Sequence, residues 1–211
     1  MTYRGAVFDM DGLMFDTERL TYELQKEILA SYGIDYKLEW YKNTIGKRAD
    51  DIEGMFIELC GEDFSYEKFR EECRTAYREY TDKNGVPAKP GLFEALEKLK
   101  DRGVKIALAT STTRRSAERT LRIAGVLGYF DALVCAEDVS RGKPAPDPFI
   151  KAAEKLGLEP GECIAIEDSL FGIESAYRAG LIPIMIPDLI PPTEEVKKMC
   201  AAVLGSLEEV V

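Results

Sequence analysis

Residues 4–17 read RGAVFDMDGLMFDT, a short apolar run that leads into two closely spaced aspartates. An apolar run bounded by glycine favours a buried central strand of a parallel sheet, although a buried helical segment has the same pattern. Ligands of open α/β sheets bind beyond the carboxyl ends of the strands, so Asp9 and Asp11 lie where chemistry is expected. If the chain stays extended, the two side chains point the same way and repel each other unless a cation or a shared proton intervenes.

A divalent cation is the simplest answer to that repulsion. Mg²⁺ prefers oxygen ligands, keeps several of its waters, and is commonly bound by a few carboxylates together with substrate phosphate oxygens. The pair Asp9 and Asp11 therefore points to phosphoryl chemistry. For an isolated pair we favour the plainer interpretation, in which one acid caps a turn and the other is solvated. The remaining motifs must decide between the two.

Composition excludes several classes of function. The chain has 211 residues with 28 Lys and Arg against 38 Asp and Glu, a formal charge of −10. Broad attraction to nucleic acid or to anionic lipid is therefore not expected, and a phosphate substrate needs a local cationic pocket. The sequence has no apolar run of membrane-spanning length and no signal-peptide layout at its start. We expect a cytoplasmic monomer with a small-molecule substrate and neither nucleic-acid nor membrane partners.

Cysteine and histidine usage narrows the chemistry further. The five cysteines are scattered, odd in number and never in C-x-x-C spacing, which argues against a disulfide framework or a zinc site. Histidine is absent, which removes Ser-His-Asp triads, Cys-His pairs and histidine-ligated zinc. Any proton transfer must use carboxylates, lysines or tyrosines.

Apolar runs alternate with amphipathic segments along most of the chain, which predicts an α/β fold. Further strands are expected at 104–109, 132–135, 163–166 and 181–186, with helices at 17–31, 114–124, 147–156 and 169–179. The region to about residue 82 has no strand pattern and carries helix-like patterns near 50–59 and 66–80. We predict a Rossmann-like, doubly wound parallel sheet formed by residues 1–16 and 84–211, with a helical cap inserted at 17–83.

Polar groups recur after the later apolar runs, at Thr110-Ser111, at Lys143 and at Glu167-Asp168. Each has a structural explanation when taken singly: Thr110 as a helix N-cap, Lys143 as a loop charge, and the acidic pair as the solvated start of a helix. They nevertheless occur in order with Asp9 and Asp11, each near the end of a predicted strand. Jointly they favour a single site.

These motifs resemble those of haloacid dehalogenase superfamily phosphatases, in the branch that includes β-phosphoglucomutase and pseudouridine-5′-phosphatase. The resemblance covers nearly the whole chain. The family's first motif, D-x-D-G, matches Asp9-Met10-Asp11-Gly12. Its second, a Thr or Ser at a strand end, matches Thr110; its third, a lysine, matches Lys143; and its acidic fourth matches Glu167-Asp168.

The resemblance implies a mechanism with two carboxyl groups in different roles. Asp9 attacks phosphorus to form an aspartyl phosphate, whereas Asp11 protonates the leaving oxygen and then activates water. The predicted phosphate-binding groups are the Thr110 hydroxyl, the Ser111 backbone N–H and the Lys143 ammonium. The predicted Mg²⁺ ligands are Asp9, Asp11 through its backbone carbonyl, Glu167 through water, and Asp168.

The expected function is Mg²⁺-dependent hydrolysis of a small phosphorylated metabolite, a sugar phosphate or a nucleotide-type monophosphate. Asp11 speaks against a haloacid dehalogenase or a phosphonatase, because neither protonates an oxygen leaving group in that way. A β-phosphoglucomutase-type mutase is an alternative, but Thr21 and Ala49 stand where such mutases carry a histidine and an arginine. A non-enzymatic receiver-like phosphoacceptor is a second alternative. In the cap, Lys47 and Arg48 are candidate substrate-binding residues.

Overall fold

The computed structural model describes residues 3–47 and 49–210, and the chain divides into two compact units. One unit comprises the residues up to Asp16 together with those from Val86 onward, and the other comprises Thr17–Gly85. The sequence places the second of these boundaries between residues 83 and 84. The first unit is called the core below, and the second is called the cap.

The described residues of the core form one sheet in which every pairing is parallel. Its strands are β1 (Gly5–Phe8), β2 (Lys105–Ala109), β3 (Ala132–Val134), β4 (Cys163–Glu167), β5 (Ile182–Met185) and β6 (Ala202–Val203). The predicted α/β class with a parallel sheet is confirmed. The sequence does not predict β6, because two residues beside β5 are too few to show a period.

The strands lie in the order β3-β2-β1-β4-β5-β6, so the direction of winding reverses beside β1. Phe8 pairs with Leu108 of β2 on one side and with Ile166 of β4 on the other. This is the doubly wound order whose crevice lies outside the carboxyl ends of the central strands. Residues that directly follow β1, β2 and β4 are therefore brought to one edge of the sheet.

The cap is helical and has an aromatic interior. Its helices are α1 (Thr17–Ser31), α2 (Leu38–Lys42), α3 (Ala49–Cys60) and α4 (Tyr66–Asn84). The ring of Phe56 on α3 packs against that of Phe69 on α4, with centroids 4.9 Å apart, and the Tyr41 hydroxyl donates to Glu18 at 2.6 Å. Helix α2 is not predicted from the sequence, since its five residues are too short for a helical period.

Helices cover both faces of the core sheet. They are α5 (Leu92–Asp101), α6 (Arg114–Ile123), α7 (Asp147–Leu156), α8 (Leu170–Arg178) and α9 (Glu194–Met199). Successive side chains of a strand point to opposite faces, and β1 follows this rule. Phe8 lies in the same apolar cluster as Leu96 of α5, whereas Val7 lies in the cluster that contains Phe149 of α7. β1 is therefore buried on both faces, as its continuous apolar run predicts.

None of the helices in the described part of the chain combines the length and the apolarity needed to cross a membrane.

Candidate active site

Asp9 follows the last residue of β1 and is almost fully buried, with 7% of its surface exposed. Its backbone N–H donates to the Ile166 carbonyl at 3.0 Å, which extends the pairing of β1 with β4 by one bond. Its carboxylate oxygen Oδ1 accepts a hydrogen bond from the Lys143 ammonium at 2.5 Å. The structure therefore brings the first and third sequence motifs into direct contact at the reversal of the sheet.

Lys143 reaches Asp9 from a loop that is held by hydrogen bonds of Ala145. Within the loop, the Ala145 backbone N–H donates to the Gly142 carbonyl at 3.0 Å, and the Ala145 carbonyl accepts from the Ser175 hydroxyl at 2.5 Å. The Lys143 side chain is only 8% exposed, and its ammonium also donates to Glu167 Oε1 at 2.6 Å. One buried ammonium is thus shared by two carboxylates.

Glu167 is fully buried, and both of its carboxylate oxygens accept hydrogen bonds from protein donors. Oε1 accepts from Lys143, while Oε2 accepts from the Ser169 backbone N–H at 2.8 Å and from the Ser169 hydroxyl at 2.9 Å. The carboxylate also lies against Gly172 of α8, where an added Cβ would meet Oε1 at 1.7 Å. These contacts favour a role for Glu167 in holding Lys143. The role of Glu167 as a Mg²⁺ ligand through water stays a prediction.

Asp168 lies on the other side of the same strand end, against the turn that follows β1. A Cβ added to Gly12 would be 2.4 Å from Asp168 Oδ2, and Gly12 adopts a φ of +85° that favours glycine. The glycine of D-x-D-G therefore gives the Asp168 carboxylate room to approach the backbone of the first motif. The structure brings the first and fourth motifs together here.

Asp11 lies two residues after Asp9, where the chain turns. The Met14 backbone N–H donates to the Met10 carbonyl at 3.0 Å, which closes this turn. The Asp11 oxygen Oδ2 accepts from the Thr112 hydroxyl at 2.7 Å. Thr112 is a site residue that the sequence does not single out; its signal is a third hydroxyl at the end of β2, after Thr110 and Ser111.

Thr110 is buried at the end of β2, and its backbone N–H donates to the Val134 carbonyl at 3.0 Å. Its hydroxyl oxygen accepts from the Thr112 backbone N–H at 3.1 Å, which leaves the hydroxyl proton as a donor for a ligand. Ser111 is exposed between these two residues. The geometry is compatible with the predicted phosphate-binding role of both.

Comparison with known proteins identifies the family. The sequence pattern of the haloacid dehalogenase-like hydrolases matches residues 6–186. The chain belongs to this family. Relatives include the "Phosphorylated carbohydrates phosphatase" of Thermotoga maritima, 34% identical over 181 residues, which cover 84% of this chain and 82% of the relative. The "Fructose-1-phosphate phosphatase YqaB" of Escherichia coli K12 is 32% identical over 179 residues, with 85% and 94% covered.

Solved structures of the family have the same fold. A haloacid dehalogenase family hydrolase from Deinococcus radiodurans R1, with bound phosphate and sodium, superposes with a TM-score of 0.83 at 26% identity and covers 99% of this chain and 93% of its own. Structures of the same fold also include a β-phosphoglucomutase. The predicted membership of the superfamily is confirmed.

Burial and neighbouring charges raise the pKa of two site carboxyl groups, those of Asp9 and Asp168. Burial has the largest influence on the pKa of Asp9. The positive charge of Lys143 lowers this pKa and the negative charge of Glu167 raises it, and together these influences raise it to about 7. Burial and the charges of Glu167 and Asp9 likewise raise the pKa of Asp168 well above its usual range. Burial alone would lower the pKa of Lys143, but the charges of Asp9 and Glu167 raise it above its ordinary value.

The donor atoms suit the Mg²⁺ ion that the family implies. Within residues 3–47 and 49–210, no three Asp, Glu, Cys or His side chains are arranged to hold a metal ion by themselves. An ion here would depend on backbone, substrate or water oxygens in addition to carboxylates, which is the usual way that proteins bind Mg²⁺. Asp9 and Asp168 offer the carboxylates, and Asp11 offers a backbone carbonyl in the intervening turn.

The cap residues predicted to bind substrate are only partly described. Lys47 is exposed and lines a cavity of about 410 Å³ within the cap, together with Thr21, Gln25 and Arg74. The Gln25 side-chain oxygen is buried and has no hydrogen-bond partner among the residues that the structure describes. Arg48 lies outside the described residues. The substrate-binding role of Lys47 and Arg48 stays a prediction.

Substituting Gly172 tests whether the Glu167 carboxylate is packed tightly against α8. We expect Gly172→Ala to lower the free energy of unfolding by about 1–3 kcal/mol, because the new methyl group must displace the buried carboxylate. Gly54→Ala is the matched control: Gly54 also lies in a helix, α3, but an added Cβ there meets nothing within 4 Å. The control should raise the free energy of unfolding by about 0.5–1 kcal/mol. Denaturant titration measures both, and equal effects of the two substitutions would contradict the assignment.

Proposed function

We propose that this hydrolase of phosphoric monoesters is a Mg²⁺-dependent phosphatase that works through an aspartyl phosphate on Asp9. The observation that carries the proposal is the buried Asp9 carboxylate, held by Lys143 at 2.5 Å where the winding of the sheet reverses. Asp168 lies against the turn that follows the same strand. A carboxylate fixed in this way suits in-line attack, because its orientation is set before the substrate binds.

In the first half of the reaction, an Asp9 carboxylate oxygen bonds to phosphorus as the bond from phosphorus to the ester oxygen breaks. Asp11 gives its proton to that departing oxygen, so the organic product leaves as an alcohol. The Lys143 ammonium and the Thr110 hydroxyl bind phosphoryl oxygens and stabilise the charge that they carry in the transition state. The Ser111 backbone N–H is a further donor for this purpose.

In the second half, water attacks the phosphorus of the aspartyl phosphate and gives a proton to Asp11. The bond between phosphorus and the Asp9 oxygen breaks, which releases inorganic phosphate and restores both carboxyl groups. Asp11 thus begins and ends the cycle in the same protonation state. Asp9, Asp168 and the Asp11 carbonyl would hold a Mg²⁺ ion, which would supply positive charge for the phosphoryl oxygens.

The relatives support a proposal for the substrate class. The two relatives named above are phosphatases of phosphorylated carbohydrates, one of them of fructose 1-phosphate. A sugar or polyol monophosphate is therefore the substrate class that we propose. The cytoplasmic location and the monomeric state stay predictions.

Replacement of the two catalytic acids tests their roles. Asp9→Asn removes the nucleophile and should abolish phosphate release, whereas Asp11→Asn should lower kcat by about 10²–10⁴-fold, the usual effect of losing a general acid–base group. Phosphate release from fructose 1-phosphate measures both. The matched control is Asp101→Asn, an exposed carboxylate at the end of α5, which should leave the rate unchanged. Normal rates in the two site variants would refute the assignment.

The metal requirement is tested by removal and replacement. Excess chelator should abolish phosphate release and added Mg²⁺ should restore it, while Ca²⁺, which is larger and less strict in geometry, should restore it poorly. Asp168→Asn removes a carboxylate ligand and should raise the Mg²⁺ concentration for half-maximal rate. Full activity in excess chelator would contradict a metal-dependent mechanism.

One assay separates the proposed activity from its two alternatives. A phosphatase releases inorganic phosphate continuously from a panel of sugar and nucleoside monophosphates. A mutase instead converts β-glucose 1-phosphate to glucose 6-phosphate in the presence of the bisphosphate, with little net phosphate release. A receiver-like phosphoacceptor takes up one phosphoryl group for each chain and then stops. Thr21 and Ala49, in place of the histidine and arginine of mutases, favour the first outcome.

A further inference from the structure

The hydrogen bond between Thr112 and Asp11 joins two segments that are far apart in the sequence. The Thr112 hydroxyl lies 2.7 Å from Asp11 Oδ2 and comes from the loop between β2 and α6. Asp11 lies in the turn after β1. This contact fixes one oxygen of the carboxyl group that the proposed mechanism uses for proton transfer.

Both backbone groups of Thr112, its N–H and its carbonyl, form hydrogen bonds. Its backbone N–H donates to the Thr110 hydroxyl at 3.1 Å, and its carbonyl accepts from the Ala136 backbone N–H at 3.1 Å. The first bond ties Thr112 to the end of β2, and the second ties it to the segment that follows β3. The hydroxyl is therefore presented to Asp11 from a fixed backbone.

A hydroxyl is well suited to hold a carboxyl group whose proton comes and goes. It donates to a carboxylate and, after turning about its C–O bond, accepts from a carboxylic acid. A lysine or an amide N–H in the same place could only donate, so it could not accept a hydrogen bond from the protonated acid. The contact with Thr112 can thus persist through both halves of the reaction.

We propose that Thr112 is a positioning residue, which holds the Asp11 carboxyl group in the orientation for proton transfer to the leaving oxygen. This inference rests on the proposed function, because it concerns the acid of that mechanism. It assigns Thr112 no contact with the substrate. Its effect on kcat/KM, which reports the steps up to departure of the leaving oxygen, should therefore appear only where that oxygen needs a proton.

The experiment compares two esters that differ in this need. p-Nitrophenyl phosphate releases p-nitrophenolate, which leaves without a proton. Glycerol 2-phosphate releases an alkoxide, which must be protonated as it leaves. For both esters, kcat/KM reports the step in which the leaving group departs. Thr112→Val keeps the shape of the side chain and removes the hydroxyl. We expect it to lower kcat/KM for glycerol 2-phosphate by about tenfold or more, the size of one hydrogen bond to a charged group, with a much smaller loss for p-nitrophenyl phosphate.

Three further variants make the test specific. Thr112→Ser keeps the hydroxyl and should recover most of the lost kcat/KM. Thr113→Val removes the neighbouring hydroxyl, which contacts Ser116, and should change neither ester. Adding Thr112→Val to Asp11→Asn should cause little further loss if Thr112 acts through Asp11. Should Thr112→Val fail to fold, Thr112→Ala carries the same comparison.

The outcomes separate this inference from the proposed function. Equal losses for the two esters, no recovery with serine, or additive losses in the double variant would each overturn the positioning role while the phosphatase stands. A parent chain that releases phosphate from neither ester, nor from the sugar phosphate panel, would overturn the proposed function and this inference with it.

Discussion

The site depends on one buried ammonium group that is shared between two carboxylates. Lys143 bonds Asp9 at 2.5 Å and Glu167 at 2.6 Å, and within the described residues these are the salt bridges that both acids make. Removing one partner of a buried ion pair leaves an uncompensated charge, which typically costs about 3–5 kcal/mol. The parallel sheet makes the arrangement possible, because its order sets the ends of β1 and β4 side by side. Fold and site therefore support each other at this point.

Glu167 and Asp168 are neighbours in the sequence but have different roles in the folded chain. Glu167 is the last residue of β4 and points into the interior, where Lys143 and Ser169 satisfy its oxygens. Asp168 follows the strand and lies against Gly12. Alternation of side chains along an extended chain accounts for the split, since consecutive residues face opposite ways. The pair reads as one acidic motif in the sequence, but it supplies one residue that holds the lysine and another that faces the turn after β1.

The sequence predicted what is local and left out what depends on tertiary contacts. The apolar runs ending at Asp9, Thr110 and Glu167 predicted the central strands and their polar ends, because burial on both faces leaves a continuous apolar signal. β6 and α2 were not predicted, because elements of two and five residues are too short to show a periodic pattern of apolar residues. The hydrogen bond of Thr112 to Asp11 also escaped, because its partners are 101 residues apart and meet only through the order of the strands.

The negative charge of the site also links its chemistry to the stability of the fold. The pKa of Asp9 is raised by burial from 3.8 to about 7, so between these values the unfolded chain holds fewer protons at this group than the folded chain does. Ionisation of Asp9 therefore makes the fold less stable as the pH rises through that interval. A cation that binds only the folded chain acts in the opposite direction, since it stabilises both the ionised carboxylates and the fold that gathers them. Lys143 divides its single charge between Asp9 and Glu167, so the proposed Mg²⁺ would stabilise the fold as well as compensate the negative charge of these acids.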